Sequence, residues 1–238
     1  MAKGIQGFVI HLSTDEERGA HMRAQIKGLA IPVHFILEGD AADLTPEILE
    51  KYFTGDLKAK LGVTSCTYKH LRALEEMTAK NIPYGLIFEN DIFLTPDFEP
   101  ALHAAIAEIE QKNITNFLLS LEDSNLRYVP GSQRRKGQLV YPRDIGRFAG
   151  AYLLDLPAAR NILKEVAENK CELIIDSFHT HCGRKGLINF YWLHPTIATQ
   201  GSHNGKIANG ISKKAGNIFR RISFETQRVY KKILWRFR

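Results

Sequence analysis

Short apolar runs that stop abruptly at polar residues recur along this chain, and helix-patterned stretches separate them. "GFVIHL" (residues 7–12) has the apolar density of a buried strand. Ser13 or Thr14 would cap a following helix with Asp15, Glu16 and Glu17 in its first turn, where carboxylates suit the positive end of the dipole. "PVHFIL" (residues 32–37) reads as a second strand, closed by Glu38-Gly39-Asp40. A helix over about residues 65–80 sets Cys66, Leu71, Leu74 and Met77 near one stripe. "YGLIF" (residues 84–88) is a strand before a helix over about residues 97–112, and "NFLLSL" (residues 116–121) is another strand. After a polar stretch the alternation resumes with "RFAGAYLLDL", the proline-started helix "PAARNILKEVAE" and the strand "GLINFYWL". This order predicts an α/β fold, a mostly parallel sheet flanked by helices.

In such sheets ligands bind beyond the carboxyl ends of the strands. Glu89-Asn90-Asp91 stands at one of those ends, and acids there are costly to desolvate unless something positive meets them. Two carboxylates one residue apart suit a hard divalent ion that takes its other ligands from phosphate and water. A plain β-turn accounts for Asn90 and Asp91 equally well at this level.

Charge separates the chain into two parts. Of the 32 Lys+Arg and 26 Asp+Glu, nine and one fall within residues 213–238, so the tail carries +8 and the remainder −2. The expected division is therefore a globular body over residues 1–212 and a basic tail over 213–238. In the tail, Ile218, Ile222, Val229, Ile233 and Phe237 lie close to one helical stripe, broadened by Phe219, Tyr230, Leu234 and Trp235. That pattern fits an amphipathic helix attracted to anionic lipid. A helix packed on the body is the alternative, and nucleic-acid binding ranks third. No apolar run reaches the ~18–20 residues of a membrane span, and the N-terminus reads as a strand and not a signal peptide. Cys66, Cys171 and Cys182 are sparse and odd in number, as suits a reducing cytoplasm. Cys171, His179, His181 and Cys182 are zinc-compatible types, but their spacing matches no structural zinc pattern.

Six segments in order resemble glycosyltransferase family 25, the lipooligosaccharide galactosyltransferases, over roughly residues 5–205. "VIHLSTDEER" has His11 where the family has asparagine but keeps Leu12 and Arg18. "SCTYKHLRAL" keeps Cys66 and His70, with Ser65 and Lys69 replacing glycine and serine. "LIFENDIFLTPDF" matches a strand ending in Glu-Asp-Asp, with Asn90 in the middle. "GAYLLDLPAARNIL", "IIDSF" and "HPTIATQGSHNG" complete the series.

The resemblance implies a GT-A type, Rossmann-like transferase with inversion at the sugar carbon. It implies a UDP-hexose donor, Mn²⁺ or Mg²⁺ as cofactor, and a lipooligosaccharide or LPS core acceptor. His11, Leu12, Ser13 and Arg18 would hold base and phosphates, since arginine suits phosphate oxygens. Lys69 and His70 would touch the phosphates, with core packing or a surface salt bridge as the equal alternative. Glu89 would face ribose or sugar hydroxyls, with Asn90 and Gln200 also lining the donor site. Asp91 would ligate the metal with His203, or failing that His194. Asp176 is the candidate base for the acceptor hydroxyl, with Glu122 and Asp123 a rival pair, while Arg134, Arg135 and Lys136 would meet acceptor phosphates. The setting implied is cytoplasmic, peripheral to the inner membrane. A metal-dependent phosphoester hydrolase, or an inactive transferase-like module binding membrane or nucleic acid, are the competing classes.

Overall fold

The computed structural model describes residues 4–59, 61–204, 207 and 218–238. The side chains of His203 and of residues 218–220 lie outside that description.

The chain opens β1 (Ile5–Ile10), α1 (Glu16–Ile26), β2 (Val33–Ile36), α2 (Pro46–Tyr52) and α3 (Gly62–Ala79). It continues with β3 (Tyr84–Glu89), β4 (Ile92–Leu94), α4 (Phe98–Gln111), β5 (Phe117–Ser120), β6 (Val140–Arg143) and β7 (Ala151–Asp155). It closes with α5 (Leu156–Asn169), α6 (Ile175–Arg184), β8 (Asn189–Leu193), β9 (Ala198–Gln200), α7 (Gly201–Asn204) and α8 (Ile218–Arg236).

Seven strands form one sheet in the order β2-β1-β3-β7-β5-β8-β6, and β4 and β9 pair separately. Neighbours β2, β1 and β3 are parallel, as are β5 and β8, while β7 and β6 run against their partners. The sheet is thus α/β, Rossmann-like and mostly parallel, as expected. Strand alternation explains its two cores. Phe8 and Ile10 of β1 and Ile87 of β3 face the side covered by α2, α3, α5 and α6, whereas Val9, Leu86 and Phe88 face the side covered by α1 and α4.

Local chemistry sets the boundaries. Asp15, not Ser13 or Thr14, caps α1 by accepting from the Arg18 amide at 3.1 Å. Ser13 is diverted, because its amide and hydroxyl both donate to Asp40 beyond β2. Asp155 caps α5 and also accepts from the amides of Asn116 and Phe117, at 2.6 and 3.0 Å, tying the start of β5 to the end of β7.

The polar stretch at residues 122–141 is ordered around a buried Tyr128 and Val129, and β6 begins inside it. Helix α8 lies against this stretch. Arg228 Nε donates to the fully buried Asp123 at 2.9 Å, Lys232 approaches the same carboxylate at 3.8 Å, and Phe224 is buried. Near its C-terminus, the Ser132 amide donates to Arg238 O at 3.0 Å. The apolar stripe does not make this contact: Ile222, Val229, Tyr230, Ile233 and Phe237 are all exposed. Among the described residues no helix is long and apolar enough to cross a membrane.

Candidate active site

The site assembles where β1, β2 and β3 end and the first turns of α3 approach them. Helical spacing places Cys66 and His70 one turn apart on one face of α3, with Lys69 beside them. Lys69 is almost wholly buried, and its ammonium is taken by Asp40 and by the backbone carbonyls of His11 and Leu37. A buried ammonium needs such partners, so Lys69 clamps the ends of β1 and β2 together. Gly39 supports the same turn. Its φ is +97°, and a Cβ there would come within 2.4 Å of the Tyr68 ring.

At the β3 tip, Asn90 is shared. Its Oδ1 accepts from Arg18 Nη1 at 2.9 Å, and its Nδ2 lies 3.1 Å from His11 Nδ1. Burial lowers the pKa of His11, against a pull from Asp15 in the other direction, so the imidazole is neutral and can accept. Glu89 Oε2 accepts from Gln200 Nε2 at 2.8 Å. Gly150 leaves room for that amide, since a Cβ there would lie 2.5 Å from Gln200 Cδ. Asp91 is buried; its Oδ2 accepts from the Ser202 amide at 2.9 Å, while its Oδ1 has no hydrogen-bond partner among the described residues.

Three cavities join in series along this edge. The first, roughly 380 Å³, is lined by His11, Leu12, Arg18, Lys69, Glu89 and Asn90 among others. The second, roughly 280 Å³, shares Cys66 and Glu89 with the first and adds Gln200, Phe148 and Asp176. The third, roughly 930 Å³, shares Phe148 and Asp176 with the second and reaches Arg127, Arg147, Arg184 and the α8 residues Phe224 and Gln227. The cleft therefore runs from the β1–β3 tips past Glu89 to Asp176, then widens under α8.

The structure brings His11, Leu12, Arg18, Lys69, Glu89 and Asn90 into one cavity wall, with Gln200 in the adjoining one. Ser13 is exposed nearby, bonded to Asp40. His70 is completely buried behind them, stacked on Tyr152. The His203 side chain is outside the described residues. His194 packs edge-on to Tyr141, and burial, followed by Arg134, Arg147 and Lys232, pushes its pKa down to about 4. Three nearby cations make it ill suited to hold another.

Asp176 stands in the first turn of α6, accepting from the Ser177 amide at 2.7 Å, on the wall common to the second and third cavities. Glu122 and Asp123 are fully buried, and neither lines these three cavities. Burial pushes the Glu122 pKa up to about 8, with Glu89 and Asp91 acting in the same direction. Arg134 donates to Val129 O and Arg135 to Ser132 O, and neither lines the wide cavity. The arginines that do, at 127, 147 and 184, come from three separate segments, so no local basic run announces them. His179 is buried against Tyr152 while His181 bonds Glu165 at 3.1 Å, so the two imidazoles are committed to different partners.

Sequence reasoning also passes over Asp40 and Tyr152. The only signal was their position, at the end of "ILEGD" and inside "GAYLLDL".

A family profile described as "Glycosyltransferase family 25 (LPS biosynthesis protein)" matches residues 5–178. No curated protein matches the chain in sequence. Among solved structures, a glycosyltransferase involved in glycosylation of the major capsid of PBCV-1 is 6% identical, with a TM-score of 0.48, covering 89% of this chain and 98% of that one. A197 from STIV is 10% identical, with a TM-score of 0.43 and coverages of 80% and 81%. Mouse xyloside xylosyltransferase 1 is 15% identical, with a TM-score of 0.37 and coverages of 78% and 71%.

Proposed function

The chain belongs to glycosyltransferase family 25, and from that premise we propose that it moves a hexose, galactose foremost, from a UDP-sugar to a lipooligosaccharide or LPS core with inversion. The observation that carries this reading is the cleft itself. A narrow cavity at the β1–β3 tips is joined, through a wall bearing Glu89 and then Asp176, to a wide one of roughly 930 Å³. In this reading nucleotide, reacting carbon and acceptor occupy the three in order.

His11, Leu12 and Ser13 would frame the base, and Arg18 the diphosphate, where a guanidinium matches phosphate oxygens. Glu89, oriented by Gln200, would accept from donor-sugar hydroxyls. Asp176 would take the proton of the acceptor hydroxyl as that oxygen attacks the sugar carbon and the nucleoside diphosphate departs. Asp91 fits a Mn²⁺ or Mg²⁺ ligand, because its Oδ1 is buried and lacks a hydrogen-bond partner among the described residues, and His203 is the proposed second ligand. When bound there, such an ion supplies positive charge for the leaving diphosphate. Arg127, Arg147 and Arg184 would receive acceptor phosphates.

The outward apolar stripe of α8, set among basic residues, suits an anionic leaflet. We place the body at residues 1–212 and the membrane-associating tail at 213–238, on the cytoplasmic side of the inner membrane.

The test is calorimetric titration of UDP with Mn²⁺ and with EDTA, on the wild type and on Asp91→Ala. Metal-dependent binding that the variant loses is the expected result, followed by a screen of UDP-hexoses for turnover. No binding in either condition would overturn the donor site.

A further inference from the structure

On α3 and the β3 tip, three ligand types converge at the wall of the proposed donor site, Cys66 and Glu89 lining it and His70 behind them. Cys66 Sγ, His70 Nε2 and a Glu89 carboxylate oxygen all lie within 4.8 Å of one another. Cys66 Sγ is 4.0 Å and His70 Nε2 3.7 Å from Glu89 Oε1. Bonds of about 2.0–2.3 Å in a tetrahedral site set ligand atoms roughly 3.3–3.8 Å apart, so the two distances to Glu89 are near that spacing and the Cys66–His70 pair, within 4.8 Å, closes by up to about 1 Å on binding.

His70 supplies an independent pointer. It is 0% exposed, yet its Nε2 has no hydrogen-bond partner among the described residues. An orphaned polar atom at that depth is costly unless something occupies its lone pair. The other ring nitrogen, Nδ1, lies 2.9 Å from the Tyr152 hydroxyl. With Nδ1–H donating to that oxygen, the Nε2 lone pair faces Cys66 and Glu89, as in metal sites whose histidines are oriented by an outer partner. Burial pushes the His70 pKa down to about 3, so the ring is a neutral ligand. Burial, followed by Glu89, Asp91 and Asp176, raises the Cys66 thiol well above its ordinary range, so an ion must displace that proton to gain the thiolate.

We propose that Cys66, His70 and Glu89 form a binding site for a borderline-soft divalent ion, Zn²⁺, with a fourth position open to the cavity that Asp176 lines. Thiolate and imidazole ligands select zinc over Mg²⁺ or Mn²⁺, which prefer oxygen. Binding displaces the thiol proton to solvent and leaves a thiolate on the ion. The site uses a different ligand set from the one assigned to Asp91 and His203, and it does not require that the chain be a transferase.

The experiment uses the full chain, stripped with chelator and kept in a thiol-free reductant. It is titrated with Co²⁺ as a spectroscopic probe and then with Zn²⁺. One Co²⁺ per chain, with a thiolate-to-cobalt charge-transfer band that equimolar Zn²⁺ abolishes, is the expected result. Cys66→Ser removes the band, and His70→Gln weakens Zn²⁺ binding by at least about 10-fold, the low end of what even an outer-partner change costs. Folded wild-type chain with no such band overturns the proposal without reference to any variant. A band persisting in Cys66→Ser overturns it too, since the thiolate would then be Cys171 or Cys182. An ion held at Asp91 gives no thiolate band and leaves UDP binding as its own readout, so the two sites fail or stand separately.

Discussion

Asn90 Nδ2 lies 3.1 Å from His11 Nδ1, so the residues just past the ends of β3 and β1 meet each other. The asparagine amide is a donor for a neutral imidazole, and its oxygen accepts from Arg18. Asn90→Ala removes both contacts at an almost fully buried position, leaving His11 and Arg18 each short of a partner. We expect a loss of about 1–3 kcal/mol, the usual cost of an unsatisfied buried polar group, read as a lower urea midpoint with unchanged m-value.

Asp176 is the group on the wall between the middle and wide cavities. Asp176→Asn keeps the shape and removes the base, so turnover should fall by about 10²–10⁴-fold while calorimetric UDP affinity stays within twofold of wild type. Equal turnover would transfer the base role elsewhere.

The Asp123–Arg228 pair joins the 122–141 stretch to α8. Arg228→Met leaves the Asp123 carboxylate buried with Lys232, at 3.8 Å, as its remaining ion-pair partner among the described residues. The expected cost is about 2–3 kcal/mol, below that of a fully enclosed pair because the Arg228 side chain keeps 22% exposure. The double variant Asp123→Leu/Arg228→Met should cost less than the two single changes combined, as thermal unfolding of all four forms would measure.

Glu122 gives stability a pH dependence with a definite sign. Burial holds its carboxyl protonated up to about 8, whereas the unfolded chain releases that proton near 4.5. Between those values the folded state binds the extra proton, so this group's contribution makes stability fall as pH rises from about 4.5 to about 8, then level off. Glu122→Gln should flatten that slope in denaturant titrations at several pH values.

Val229 and Ile233 are exposed on the outer stripe of α8, away from the residues that hold the helix. Val229→Ser/Ile233→Ser should therefore leave the unfolding midpoint within about 0.5 kcal/mol, as for other surface changes. It should also cut co-sedimentation with anionic vesicles several-fold. Undiminished vesicle binding would show that the stripe has another use.

The strands were legible because burial on both faces writes near-continuous apolar runs, as in "GFVI" and "GLIF". The short β4 and β9 carried too few residues for any period to show, and β6 was hidden in a polar stretch, since an edge strand need only bury one face. Helix α2 is absent from the sequence reading, although Thr45 caps it and Pro46 starts it.

From the sequence alone followed the alternating α/β class, the acids at a strand tip and the amphipathic, basic C-terminal helix, because each is written in residues close along the chain. Which groups meet was decided by the tertiary structure. His11 reaches Asn90, Lys69 is consumed by Asp40, Cys66 and His70 face Glu89, and Arg228 of α8 enters the body to find Asp123 while the apolar stripe turns outward. These partners stand 19 to 105 residues apart. Their pairing depends on the desolvation of buried charge, and that energy exists only once the sheet and helices have closed around them.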